Sequence, residues 1–401
     1  MRMSKRLDTL QPYLFVEISK RIAEKRAKGI DVISFGIGDP DIPTPTHIIE
    51  TLCREARNPV NHRYPESDGL PELRKAVAYW YEKRFGVTLD PNKEIEPLIG
   101  AKEGLAHMAF CLIDAGDIAL ITDPAYPVYS IGTRLAGGEP YFLPLTKENK
   151  FLPDLDNIPG EVLTRAKCLW LNYPNNPTGA VAGLDFFEKA VAFGKKHNIP
   201  VLHDGPYSEV AYDGYQPASF MQAKGSKDIG MEFHSCSKTY NMTGWRIGMA
   251  VGNPELIGAL KNIKSNMDSG IFRALQDAAV CALSVERAWI TARNQVYRER
   301  LEIMLQGLRA AGIKAMRPRA GLYVWARIPG PVQGLAATEW NSDQFALQLL
   351  EQMGVAVAPG SFFGPAGEGY VRLSITAPAS KIRVAMERIA QFTNSMGSAP
   401  A

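Results

Sequence analysis

Between residues 95 and 252, short apolar runs recur with stretches of helical spacing between them: Ile95 to Ile99, Ile118 to Thr122, Cys168 to Asn172, Pro200 to Asp204, Met231 to Ser235 and Ile247 to Gly252. That rhythm narrows the fold to an α/β layer, a mostly parallel sheet flanked by helices. A long charged helical stretch follows from residue 283 to about Ala311, after which the pattern changes. Strands are expected at Gly321 to Ile328, Val355 to Ala358 and Gly369 to Ile375, and helices at Ser342 to Met353 and Ala379 to Asn394, the last with Ile382, Met386 and Ile389 on one face. These form a second, smaller α+β unit. Ahead of the large layer, Leu14, Ile18 and Ile22 lie at helical spacing within Tyr13 to Lys28, and Gly29 supplies the stop. The expected division is an arm and first part of the small domain over 1–45, a large domain over 46–285 and a small C-terminal domain over 286–401.

A chain of 401 residues with 46% hydrophobic content can fill two such domains. Its 45 Lys and Arg against 42 Asp and Glu give a formal charge of +3, too balanced for a nucleic-acid or polybasic membrane surface. Small metabolites suit that balance better. The N-terminus carries no apolar segment of a secretory leader and no window could span a bilayer, so a cytoplasmic location is expected. The five cysteines are scattered without a Cys-x-x-Cys pair, which predicts reduced thiols and no metal site.

In parallel sheets ligands gather beyond the carboxyl ends of the strands, and the segments that follow the apolar runs here are polar and specific. They are Gly100-Ala101-Lys102, Asp123-Pro124-Ala125-Tyr126, Tyr173-Pro174-Asn175-Asn176-Pro177-Thr178-Gly179, Asp204-Gly205-Pro206-Tyr207, and the run from His234 to Gly248. The last holds an amine, several hydroxyls and a guanidinium within fifteen residues. A lysine after an apolar segment can form a Schiff base with a carbonyl, while hydroxyls and an arginine satisfy a phosphate dianion. Taken alone, Lys238 could equally be a solvated surface lysine, Asp204 a turn residue before Gly205, and Tyr126 a core tyrosine.

Ser235 to Gly248 resembles the lysine motif of the class I/II, fold type I aminotransferases that use pyridoxal 5′-phosphate, and the other strand-end motifs fall in that family's order over nearly the whole chain. The resemblance implies that Lys238 attaches the cofactor and later serves as general base, and that Asp204 faces the pyridine nitrogen. It gives Asn176 and Tyr207 to the ring's phenolic oxygen and Tyr126 to one face of the ring. Ala101, Lys102, Ser235, Ser237 and Arg246 fall to the phosphate, with the helix after Gly100 behind them. Tyr64 matches a tyrosine that reaches the neighbouring subunit's phosphate, which implies a homodimer with shared active sites. Arg372 resembles the arginine that grips the substrate α-carboxylate, and Gly38 the glycine beside the substrate.

Within that family, Phe35 to Pro45, Leu98 to Ala106, Tyr173 to Ala180 and His234 to Gly248 are most similar to the LL-diaminopimelate aminotransferases of lysine biosynthesis. This implies transfer from glutamate to tetrahydrodipicolinate; Ser269, Tyr13 and Phe15 are candidates to shape the pocket at the distal end of the substrate. One position departs from the pattern of the plant members: a glutamate three residues after the equivalent of Tyr64 is Ser67 here, with Glu66 beside it. A broader glutamate, aspartate, alanine or methionine aminotransferase, or a carbon–sulfur β-lyase, would share the same cofactor residues.

Overall fold

The structure is a computed structural model of the chain and describes residues 3–10, 14–330 and 340–397. A helix at Leu14–Ala27 ends where Gly29 takes φ +79° and bonds back to the Arg26 carbonyl at 2.9 Å. The two-residue strand β1, Ile33–Ser34, follows. A seven-stranded sheet then contains β2 (Ile95–Leu98), β3 (Ile118–Asp123), β4 (Glu139–Pro144), β5 (Ala166–Asn172), β6 (Val201–Asp204), β7 (Gly230–Ser235) and β8 (Gly248–Gly252), in the order β2-β8-β7-β6-β5-β3-β4. β7, β6, β5, β3 and β4 pair in parallel, whereas β8 runs antiparallel to both its neighbours, β7 and β2.

The apolar runs lack polar alternation because both faces of the sheet are covered. Along β3, Leu120 enters one hydrophobic core while Ala119 and Ile121 enter another on the opposite face. Helices Ala101–Leu112 and Pro254–Met267 lie against the second core, with Leu105, Met108, Ile257 and Leu260 buried there, and Leu184–His197 buries Phe187, Ala190 and Val191 in the first.

Two strands lie outside the apolar runs of the sequence, the two-residue β1 and β4. β4 forms a parallel edge with β3, and only Leu143 of its six residues is buried. Its two prolines and its run of half-buried positions, without alternation, hide it.

A helix at Arg287–Ala310 leads to the remaining sheets; the expected stretch begins later than residue 283 because Leu283 closes a separate helix, Arg273–Leu283. β9 (Tyr323–Arg327) is followed by the helix Ser342–Met353, then by β10 (Val355–Ala356), β11 (Ala358–Pro359) and β12 (Tyr370–Ser374). The expected strand Val355 to Ala358 is therefore two strands. β10 pairs in parallel with β1, and after the buried Val357 the chain passes to β11, which pairs antiparallel with β12. A run buried on every side carries no periodicity to mark the break. The helix Ala379–Gly397 buries Ile382, Met386, Ile389 and Phe392 in a third core with Leu301, Met304 and Val324. All five cysteines are free, and among the described residues no helix is long and apolar enough to cross a membrane.

Candidate active site

The exits of β5, β6 and β7 open on one edge of the sheet, at Asn172, Asp204 and Ser235. Because β8 is reversed, its entrance, with Arg246 just before it, faces the same edge. A cleft of about 340 Å³ lies there. Gly38, Ala101, Lys102, Tyr126, Asn176, Asp204, Tyr207, Ser235, Ser237, Lys238, Arg246 and Arg372 all line it.

The register of β5 against β6 sets Asn172 beside Asp204, and the Asn172 amide donates to the Asp204 main-chain oxygen at 2.6 Å. The Asp204 carboxylate is 4% exposed; Oδ2 accepts from the Tyr129 hydroxyl at 2.6 Å, while Oδ1 has no hydrogen-bond partner among the described residues. Burial pushes this carboxyl up to about 6, and the Tyr129 bond works against that rise. Tyr129 is itself locked by stacking on Trp170, ring centres 5.0 Å apart. Neither Tyr129 nor Asn172 stands out in sequence, although Asn172 is a polar residue closing an apolar run.

One wall is built to accept an anion. Gly100 takes φ +75° and caps the twelve-residue helix Ala101–Leu112, whose first N–H groups have no partner within the helix. A Cβ at Gly100 would collide with the Arg246 guanidinium, and one at Gly248 would sit 2.6 Å from the Ala101 nitrogen. These close approaches put the helix start, Arg246 and β8 against one another. Arg246, at φ +57°, donates from Nη1 to the Thr243 carbonyl at 2.7 Å. Ser235 Oγ accepts from the Ser237 N–H at 3.2 Å, capping the single turn Cys236–Thr239.

Opposite this wall the Lys238 amine donates to the Gly38 carbonyl at 2.7 Å. Burial is the main reason that this amine sheds its proton below the ordinary lysine range; Tyr323 and Asp39 oppose the shift, and the Arg372 and Arg246 cations add to it. Arg372, 2% exposed, donates to Asn176 Oδ1 at 2.7 Å and to the Gly36 carbonyl at 2.6 Å. Its guanidinium lies 4.1 Å from the Tyr323 ring centre and 4.7 Å from that of Phe363. Tyr323 also meets the Tyr207 hydroxyl at 3.0 Å, and a Cβ at Gly38 would overlap its phenol, so Gly38 is needed for close packing. Tyr323 carries no sequence signal, being one apolar-pattern residue of β9.

Tyr64 is not in the cleft: it is 91% exposed. Glu66, Ser67 and Ser269 also lie outside it, where Gly270 packs on the main chain of Glu66 and Ser67. Tyr13 falls outside the described residues. Elsewhere Glu103, His107 and Asp268 gather closely enough to hold a cation, but the buried Lys264 ammonium already lies among them, 3.0 Å from both Glu103 and Asp268.

A mostly parallel layer that brings a desolvated amine, a buried acid and two guanidiniums to one edge defines a fold type I transferase. The chain belongs to the aminotransferase class I and II family, whose model matches residues 30–389. It is 56% identical to an LL-diaminopimelate aminotransferase of Dehalococcoides mccartyi, over 98% of this chain and 99% of that one. A relative of the same name from Moorella thermoacetica is 50% identical over 97% of this chain and 98% of its own length. Among solved structures, substrate-bound BacF from Bacillus subtilis superposes with a TM-score of 0.94 at 37% identity, covering 99% of both chains. An aspartate aminotransferase mutant from Thermus thermophilus gives a TM-score of 0.89 at 30% identity, covering 98% of this chain and all of the other.

Proposed function

We propose that the cleft binds pyridoxal 5′-phosphate and moves an amino group between glutamate and 2-oxoglutarate on one side and tetrahydrodipicolinate and LL-diaminopimelate on the other. The observation that carries the cofactor is the Asp204 oxygen. A buried carboxylate oxygen without a donor is costly, and a protonated pyridine nitrogen is the donor that would satisfy it. The choice of substrate rests on relatives named LL-diaminopimelate aminotransferase that match nearly the whole chain at 47–56% identity.

When bound, pyridoxal phosphate supplies a carbonyl to which amines attach and a ring that accepts electrons from the bond being broken. Lys238 would take the proton from the substrate Cα and deliver it across the intervening nitrogen to the carbon of the cofactor's former carbonyl, a task suited to an amine that burial and two cations keep ready to lose its proton. Asp204, ionised, would hold the proton on the ring nitrogen. Asn176 and Tyr207 would orient the phenolic oxygen, and Tyr126 would cover one face and exclude water. The first turn at Ala101 and Lys102, with Ser235, Ser237 and Arg246, would hold the phosphate. Arg372 would grip the α-carboxylate beside Gly38. Residues 46–285 would thus supply the cofactor site, and 1–45 with 286–401 the carboxylate grip. Tyr64, wholly outside its own cleft, would reach the phosphate of a second copy in a cytoplasmic homodimer, with Tyr13 near the distal end of the substrate.

A half-reaction screen tests the reading. With pyridoxal phosphate added, glutamate and LL-diaminopimelate are expected to convert the visible absorption band to the pyridoxamine form, and Lys238→Ala to show neither the band nor turnover. Reaction with glutamate but not with LL-diaminopimelate would reject the substrate and leave the class standing.

A further inference from the structure

We propose that Arg293, on the long helix Arg287–Ala310, is a positioning residue that fixes the main chain carrying the Lys238 amine. The turn bearing Lys238 is a helix of four residues, Cys236–Thr239, so its last carbonyls have no N–H groups further along a helix to accept from. Arg293 takes that place. Its Nη1 donates to the Lys238 carbonyl at 2.7 Å and to the Thr239 carbonyl at 2.5 Å, and its Nη2 donates to the Glu209 carbonyl at 2.6 Å.

The side chain is 3% exposed, and its other hydrogen bonds go to the Asn294 amide oxygen. A buried guanidinium is ordinarily neutralised by a carboxylate, and each of these acceptors is a neutral oxygen. Holding a full charge on main-chain carbonyls is a poor way to stabilise a core, but three carbonyls bound to one planar group are held in a fixed relation.

The same helix face also holds the amine's acceptor. Tyr297 and Arg300 follow Arg293 by four and seven positions, which places them on one side of the helix. The Tyr297 hydroxyl accepts from the Asn241 amide at 3.2 Å, and that amide also donates to the Ile42 carbonyl at 2.9 Å. Thr44 returns a bond to the Asn241 carbonyl at 2.8 Å, and Arg300 makes a two-pronged pair with Asp41 at 2.5 and 2.9 Å. Residues 41–44 come shortly after Gly38, whose carbonyl accepts from the Lys238 amine. One helix face therefore sets both the origin and the reach of the lysine side chain.

The inference rests on Lys238 being the cofactor's lysine, and its test separates the two. Arg293→Gln and Arg293→Lys are compared with the wild type as holoenzymes, by cofactor content, by the pH midpoint of the visible band and by glutamate kinetics. Arg293→Gln is expected to keep its cofactor and a KM within about threefold while kcat falls by tenfold or more, since an ångström of misplacement costs up to about a hundredfold. Its band midpoint is expected to rise, because a misplaced amine no longer keeps its burial and its distances to the Arg372 and Arg246 cations that lower it, and Arg293→Lys to recover part of both changes. Wild-type kcat and midpoint in Arg293→Gln would overturn the proposal. Should that variant fail to fold, wild-type values in Arg293→Lys would do the same, and a reduced kcat at unchanged KM would support it. A wild-type protein that shows no visible band with pyridoxal phosphate would overturn the functional reading and this inference with it.

Discussion

Replacing Asp204 by asparagine is expected to weaken the enzyme and, at alkaline pH, to relieve the cofactor-free protein of a strain that the wild type carries. Burial raises this carboxyl from 3.8 to about 6. At about 1.4 kcal/mol per unit, holding the ionised group in the fold costs on the order of 3 kcal/mol. The folded value lies above the unfolded one, so the cost is absent below about pH 4, grows as pH rises toward 6 and is complete above it. Asparagine offers Tyr129 an oxygen but also buries an amide N–H₂ where Oδ1 has no partner, a penalty of about 1–3 kcal/mol that does not depend on pH. The signature is therefore the pH dependence. In urea unfolding of the cofactor-free proteins, the stability of Asp204→Asn relative to wild type should rise by about 2 kcal/mol between pH 4.5 and 8. The same variant should lose about a hundredfold or more in the glutamate half-reaction, because it has no charge with which to hold the ring proton. A stability difference that stays flat or falls over that pH range would refute the account of Asp204 as an acid held ready for a cationic partner.

Arg372→Lys should raise KM for glutamate by about a hundredfold, since an ammonium cannot make two parallel bonds to a carboxylate, while cofactor content stays the same. Loss of cofactor instead would assign Arg372 to the architecture of the cleft. Lys264→Met should destabilise the protein by about 3–5 kcal/mol in urea unfolding, because Glu103 and Asp268 would lose the buried cation between them. A change below about 1 kcal/mol would show that those carboxylates do not depend on it.

The cleft was legible in sequence where it is made by strand ends, because a buried parallel strand reads as an apolar run and its terminus is marked by the first polar residues. Asp204, Asn176 and the segment around Lys238 were found that way. Tyr323 was not, since a tyrosine inside a strand pattern looks like core until the fold brings Gly38 and Arg372 against it. Arg293, Tyr297 and Arg300 were equally silent: a charged helix face reads as solvated, and only the packed structure shows all three buried, Arg293 on main-chain carbonyls, Tyr297 on the Asn241 amide and Arg300 on Asp41. β4 failed for a different reason, its edge position leaving too few buried residues to form a pattern.

The bond from Arg372 to the Gly36 carbonyl joins residues 336 positions apart. During synthesis at about 5–20 residues per second, Lys238 is made on the order of ten seconds before the arginine that helps to enclose it. In that interval the chain already carries Gly38, Asp204 and the residues of the anion wall, but not yet Arg372. On the proposed roles, a message cut short between those two residues would yield a chain that carries the amine without the carboxylate grip. If Arg372 is that grip, the last strand sets when, as well as where, the amine becomes selective.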